Sequence, residues 1–393
     1  MNHPITIIGG NIAGLSAAWH LARRGFFVTV FESRIWDKPC GGAISREFAR
    51  YLETELGIVP FGADHFVPSL RFAFAGNRVF ECDNFFVVIS RRDLQQRLID
   101  RLRQHPNVRI VRQRVSIDDA ERFSPQTIMA TGFGGFARRL FGGVWKHYTH
   151  GLIFRYDGHV PVDHRPNSHL MLFDSRIKGY GWVFLGKGDH VNVGLGGLGG
   201  TSDRNTLKRM YFDFFDRIAG FGYDIRPADP SPSAWKIPIL CRNWDHPVAF
   251  VHNGIEFIGA GDVLGLAHPI IGAGIEPAWQ SGWLLGESAD PASGRIDTRK
   301  YARLLEKNLR LTCRKPIDRL LTALMQSPFP PDKDSAGYLA ARLITPHLIR
   351  MIRKYPWFAM VHDGRRKTGY QIDGIRKKLK STSGGITDVS SIS

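Results

Sequence analysis

Long apolar runs are missing from these 393 residues: no uninterrupted stretch reaches the length that spans a bilayer. Cysteine is scarce too. Cys40, Cys82, Cys241 and Cys313 are widely scattered with no C-x-x-C pair, which excludes a disulfide framework and fits a reducing, cytoplasmic setting. The 15 histidines show no paired ligand spacing, so no metal site is expected. No internal repeat is present. The first strand is expected at residue 4 or 5, which leaves no room for a cleaved leader. Acidic residues are also few, with 36 Asp and Glu against 53 Lys and Arg and a formal net charge of +17. The imbalance is local, because Arg295 to Lys380 holds 21 Lys and Arg against 7 Asp and Glu. Such a field attracts membrane phosphate, acidic proteins or nucleic acid. Zinc-finger spacing, an aromatic RNA-binding signature and a recognition helix are all lacking, so no nucleic-acid partner is expected.

What is present begins at once. Ile5 to Ile8 read as an apolar strand, Gly9, Gly10 and Gly14 bracket a tight turn, and helix formers run from Leu15 to Ala22. Gly25 stops that helix, and Val28 to Phe31 form a second strand ending at Glu32. Strand, glycine turn, helix, strand and terminal acid are the layout of a dinucleotide site. The glycines let the backbone approach a pyrophosphate, the helix N-terminus offers N–H groups, and the acid takes ribose hydroxyls. One position departs from G-x-G-x-x-G: Asn11 stands where the middle glycine would be. Asparagine tolerates left-handed backbone, but its side chain crowds the phosphate position.

Further along, helices are expected at 46–56, 91–104 and 275–289, and strand-like alternation at 66–90. A strand is expected in V-R-I-V-R-Q-R-V (108–115), a short buried one ending at Gly132, and many strands and turns over 151–240. Near Gly254 another buried strand delivers Asp262 to the carboxyl edge of the sheet, where ligands of open α/β folds sit. A carboxylate there can accept bonds from ribityl hydroxyls, which NAD lacks. Gly272 and Gly274 then open a helix whose positive end could face a flavin ring and stabilise its anionic reduced form.

With these motifs the chain resembles the FAD-dependent oxidoreductases of the aromatic-hydroxylase fold group over about its first 290 residues. The resemblance implies that FAD is held by Gly9, Gly10, Asn11, Gly14 and Glu32 at its adenosine half. It places Arg91 and Ala130 to Gly132 beside the cofactor, with Asp262, Gly272 and Gly274 at its ribityl and ring end. Within that group, two stretches resemble the geranylgeranyl reductases. One is P-C-G-G-A-I (39–44); in the family a cysteine here lies near the flavin and the reacting double bond. The other is Y-G-W-V-F-L (180–185), then eight residues, then Gly194-Leu195-Gly196. The family pattern is Y-x-W-x-F-P, and the proline is replaced by Leu185.

The implied fold is α/β: a Rossmann-like FAD-binding domain (1–65, 91–145 and 243–292), interleaved with an antiparallel β-sheet substrate domain (66–90 and 146–242). A basic helical region (293–380) and a disordered tail (381–393) follow. The implied activity is reduction of carbon–carbon double bonds in an isoprenoid lipid or prenyl diphosphate. Cys40, Tyr180 and Trp182 are the catalytic candidates, and Gly41, Gly42 and Phe184 the substrate contacts. The electron donor would be NADPH or a ferredoxin-like carrier. Residues 336–380 join apolar, cationic and aromatic positions at helical spacing, which suits peripheral contact with the inner face of the membrane. Two rivals stay open at this point: an FAD-dependent aromatic hydroxylase, and a flavin-free prenyl-lipid-binding protein for which Asn11 speaks.

Overall fold

The structure is a computed structural model. It describes residues 4–309 except 59–66, 74–78, 143–147, 165, 175–178, 199–203, 228, 230, 241–246 and 268–271. The basic segment 336–380, the tail 381–393, Cys241 and Cys313 lie outside the described residues.

The chain opens with strand β1 (Pro4–Ile8), helix α1 (Ile12–Ala22) and strand β2 (Phe27–Phe31). Then come β3 (Ala43–Ser45), α2 (Arg46–Leu56), β4 (Ser69–Ala73), β5 (Val79–Asp83), β6 (Phe86–Val88), α3 (Arg91–Arg103) and β7 (Val108–Val111). The middle carries β8 (Gln126–Met129), α4 (Gly135–Phe141), β9 (Tyr148–His159), β10 (Ser168–Asp174), β11 (Gly179–Leu185), β12 (His190–Leu198), α5 (Arg204–Ala219) and β13 (Ser233–Leu240). The last elements are β14 (Ala249–His252), β15 (Ile255–Gly259), α6 (Ile275–Ser288), the short pair β16 (Ala289–Asp290) and β17 (Arg295–Ile296), and α7 (Thr298–Leu309).

Two large sheets result. The first runs β14-β15-β8-β1-β2-β7, parallel throughout except for the edge strand β14. Its inner strands are buried on both faces, as in a sheet covered by helices. Helix α1 is buried along almost its whole length and packs on α6. It starts at Ile12 rather than Leu15, because Asn11 caps it: the Asn11 Oδ1 accepts from the Ile12 N–H at 2.9 Å. Asn11 is extended, not left-handed, with φ −101°. Helices α2 and α3 begin where Ser45 and Ser90 cap them. The expected strand over 108–115 ends at Val111, since Arg112, Gln113 and Arg114 turn into solvent.

The second sheet runs β13-β9-β12-β11-β10-β4-β5. It is antiparallel except where β4 joins β10 in parallel. Its strands come from 69–83 and 148–240, while those of the first sheet come from 4–31, 108–129 and 249–259, so the layers are interleaved along the chain. The second sheet has two unlike faces. Val183, Leu185, Val191, Val193 and Leu195 pack with α5. Trp182, Phe184, Phe72, Met171 and Ile153 turn to the other side, towards the first sheet's loops. Alternation along each strand produces this split. Residues 86–88 differ from the expected layout, for β6 pairs with β3 in a small separate sheet. Asn84 turns the chain there, donating to the Val67 and Phe86 carbonyls at 2.8 Å each.

Candidate functional site

Where β1 meets α1, the chain has almost no room. Gly9 has φ +102°, and a Cβ on it would overlap the Ala130 carbonyl; a Cβ on Gly14 would overlap the Gly9 carbonyl oxygen. Both positions therefore need glycine. The Gly10 N–H donates to the Glu32 Oε2 at 2.7 Å, and the other Glu32 oxygen accepts from the Arg34 N–H at 3.0 Å. Gln95 on α3 braces the turn by donating to the Gly10 carbonyl at 2.7 Å.

A cavity of about 920 Å³ opens from this turn. Its first end is lined by Gly9, Asn11, Glu32, Arg91, Ala130, Gly132, Asp262, Gly272 and Gly274, and its far end by Phe72, Ile153, Tyr180, Trp182, Phe184 and Ile237. The segment Cys40-Gly41-Gly42 lies on its wall as well. Gly10 and Gly14 do not line the cavity; they pack the turn behind it.

Arg91 is buried, 6% exposed, and one of its terminal nitrogens donates to the Asn11 Oδ1. Its Nε and other terminal nitrogen have no hydrogen-bond partner among the described residues. Burial lowers its pKa, opposed by Cys40 first and then by Asp262 and Asp37. Asn11 thus turns its side chain to the helix cap and to Arg91. A buried guanidinium with two unpartnered nitrogens favours an anionic group beside it. Helix α6 has no side-chain cap at Gly274 among the described residues, so its first N–H groups are open to a ligand there. Orphaned guanidinium, uncapped helix and glycine cradle together fit FAD. The carboxylate of Asp262, in the turn after β15, forms an ion pair with Lys38, which sequence reading did not single out.

The aromatic wall also has a physical account. Trp182 faces Gly194 across the β11–β12 ladder, and a Cβ at 194 would overlap the indole. The first glycine of the Gly194-Leu195-Gly196 element is room for Trp182. Gly41 packs on Phe184, where a Cβ would come 2.8 Å from the ring. Leu185 replaces the family's proline, and its N–H donates to His169 Nδ1 at 3.1 Å, a bond that proline could not make. Desolvation pushes the Tyr180 phenol above its ordinary range, with Cys40 adding to the shift. The Tyr180 phenol is therefore a weaker acid than an exposed tyrosine. Glu276, at the start of α6 and 7% exposed, also lines the cavity. Its Oε1 accepts from the Ser45 N–H, and burial raises its carboxyl well above the usual range. Nothing in the sequence pattern marked it. Among the described residues no group of three His, Cys, Asp or Glu could hold a metal, and no helix is long and apolar enough to cross a membrane.

Comparison with known proteins agrees with this architecture. Residues 7–72 match the NAD(P)-binding Rossmann-like domain family. A menaquinone reductase of Mycobacterium tuberculosis is 26% identical over 342 residues, 76% of this chain and 78% of that protein. A digeranylgeranylglycerophospholipid reductase of Sulfolobus acidocaldarius is 44% identical over 50 residues, 12% of this chain and only 11% of its own length. Among solved structures, a geranylgeranyl bacteriochlorophyll reductase-like protein of Thermoplasma acidophilum aligns with a TM-score of 0.62 at 18% identity, covering 84% of this chain and 89% of that one. CtdE, solved in complex with FAD, aligns with a TM-score of 0.56 at 14% identity over 83% of this chain and 92% of its own. The chain has the fold of the FAD-dependent oxidoreductases. Its likeness within that fold includes proteins named as reductases of geranylgeranyl-type compounds and of menaquinone.

Proposed function

We propose that this protein is an FAD-dependent reductase of carbon–carbon double bonds in the isoprenoid chain of a lipid or lipid precursor. The observation that carries the reading is the continuity of one cavity. It joins an anion-ready, glycine-built end at Arg91 and Asp262 to an apolar aromatic end at Trp182 and Phe184. The first end suits a flavin nucleotide, and the second suits a long apolar chain. The names of the reductase relatives support the same class of substrate, with the menaquinone reductase extending it to a prenyl chain on a ring.

FAD, when bound and reduced by the electron donor, would supply hydride to one alkene carbon. The Arg91 N–H groups would neutralise its pyrophosphate, Glu32 would take ribose hydroxyls, and Asp262 would hold the ribityl part after parting from Lys38. The open N-terminus of α6 would favour negative charge on the reduced ring. Trp182, Phe184 and Tyr180 would wall the prenyl chain away from water. Cys40, whose Sγ accepts from the Gly42 N–H at 3.5 Å, would hold the proton for the second carbon. The electron donor would be NADPH or a ferredoxin-like carrier.

The test is the visible spectrum of the purified protein, followed by anaerobic mixing of the reduced form with geranylgeranyl lipids and prenylquinones. Reoxidation with uptake of two hydrogens by the chain is expected. Cys40→Ala should slow it at least tenfold, in the range of general acid catalysis. A protein that binds no flavin, or reduced protein that reacts productively only with oxygen and phenols, would overturn the reading.

A further inference from the structure

The second sheet reaches the Cys40 segment through a polar cluster, buried at Asn192 and Arg155, that belongs to none of the roles described so far. Asn192, on β12, is 3% exposed. Its Oδ1 accepts from the Trp182 indole N–H at 2.6 Å. Its Nδ2 donates to the Cys40 carbonyl at 3.0 Å and to the Asp157 Oδ1 at 2.7 Å. Both donors and one of the two acceptor positions of this amide are thus used, on three partners. Asp157 in turn pairs with the guanidinium of Arg155, 6% exposed on β9, and receives His190 Nε2 at 3.4 Å. Arg155 bonds the Asp37 Oδ2 at 2.5 Å and the Lys38 carbonyl at 3.3 Å. The loop 37–40 is therefore held by side chains of the sheet on which the aromatic wall is built.

We propose that Asn192 is a positioning residue that fixes Cys40 and Trp182 relative to each other, so that the thiol and the aromatic wall are set by one buried amide. This rests on the function proposed above for its relevance to turnover, but not for its geometry. The amide is suited to the task because it donates and accepts at once. A carboxylate at 192 could still accept from Trp182 but would have nothing to donate to Cys40, and it would face Asp157 as a like charge. A low-dielectric setting makes each of these bonds costly to lose.

The probe is the rate at which iodoacetamide alkylates Cys40 in the full chain, followed peptide by peptide, with Cys82 as an internal control for general opening. Asn192→Ala should raise the Cys40 rate at least tenfold and leave that of Cys82 unchanged. The paired change Asn192→Asp with Asp157→Asn conserves local charge, keeps the acceptor for Trp182 and keeps a bond between 192 and 157. It removes the donor to the Cys40 carbonyl and leaves Arg155 a neutral oxygen at 157 in place of the carboxylate; Asp157→Asn alone makes the second change without the first and should leave the Cys40 rate at that of wild type. The pair should fold as the parent does, shown by an unchanged denaturation midpoint, and still release Cys40 to faster alkylation. With flavin and a prenyl lipid, the same pair should lower kcat with KM held. A Cys40 rate equal to wild type in the charge-conserving pair, or a parallel rise at Cys82, would overturn the positioning role. Alkylation needs neither flavin nor substrate, so it tests the positioning role even in a protein that reduces no prenyl chain.

Discussion

The two ends of the cavity are built from different material. At the dinucleotide end a tightly packed backbone frames the site: Gly9 and the open start of α6 face the cavity, Gly14 packs the turn behind it, and Arg91 and Asp262 add the charges. At the aromatic end side chains make the site, and the backbone recedes, as Gly194 does beneath Trp182. A backbone-built end tolerates almost no added atoms, whereas a side-chain-built end can repack. The two should therefore fail differently under substitution.

The largest effect is expected at the backbone-built end. Gly14→Ala sets a methyl against the Gly9 carbonyl, so the turn must open. A loss of about 3 kcal/mol in a denaturant titration is expected, at the upper end of overpacking costs, together with loss of flavin binding. An alanine there with near-native stability would erase the contrast. Next comes Asp262→Ala, which leaves Lys38 without its carboxylate and a flavin hydroxyl without an acceptor. Flavin titration should show affinity falling roughly 10- to 100-fold, the cost of a buried group left unpaired. Gly194→Ala should act more gently, at about 1–2 kcal/mol, because the added methyl meets a side chain rather than backbone. Its signature is a raised KM for long prenyl chains with flavin affinity kept; a change in flavin affinity instead would show that the ends are not separable.

The smallest effect depends on pH. The Glu276 carboxyl keeps its proton in the folded state over a range where the unfolded chain gives it up. Its contribution is thus fully present below the ordinary carboxylate range and is lost as pH rises through the raised value. Glu276→Gln keeps the acceptor for the Ser45 N–H without the ionisation. Its stability relative to wild type should grow as pH rises and vanish in acid, measured by melting at several pH values. A difference that does not vary with pH would mean that Glu276 is ionised in the folded protein.

The same contrast explains what sequence could reveal. Gly9, Gly14 and Glu32 were legible because a backbone-built turn demands fixed residues at fixed spacing. Helices at 46–56 and 91–104 were legible from the residue pattern, the second from its apolar face at Leu94, Leu98, Ile99 and Leu102; the Ser45 and Ser90 caps that start them, and the end of the second at Arg103, come from the structure. Tyr180, Trp182 and Phe184 could be named from their order, and the cavity brings all three together. Lys38, Asn192 and Glu276 were not legible. Lys38 meets Asp262 across 224 residues, Asn192 meets Cys40 across 152 and Glu276 meets Ser45 across 231. Each is a single polar residue whose partner only the tertiary fold supplies. Asn11 was half legible: its departure from glycine showed, but its pull towards Arg91 did not.

The interleaving of the sheets has a consequence for synthesis. Strand β1 leaves the ribosome well before its partner β8, which it finds only after some 118 further residues, as the Thr6 to Ser124 bond shows. Strand β8 must then await β15, with Gln126 meeting Glu256 another 130 residues on. Throughout that interval the whole second sheet is made, and one edge of β1 and then of β8 stays unpaired. Such long loop closures slow folding and leave strand edges open to wrong partners. The dinucleotide half is thus begun before the second sheet and closed after it, and a chain stalled before residue 255 would carry its glycine turn with the parallel sheet still incomplete.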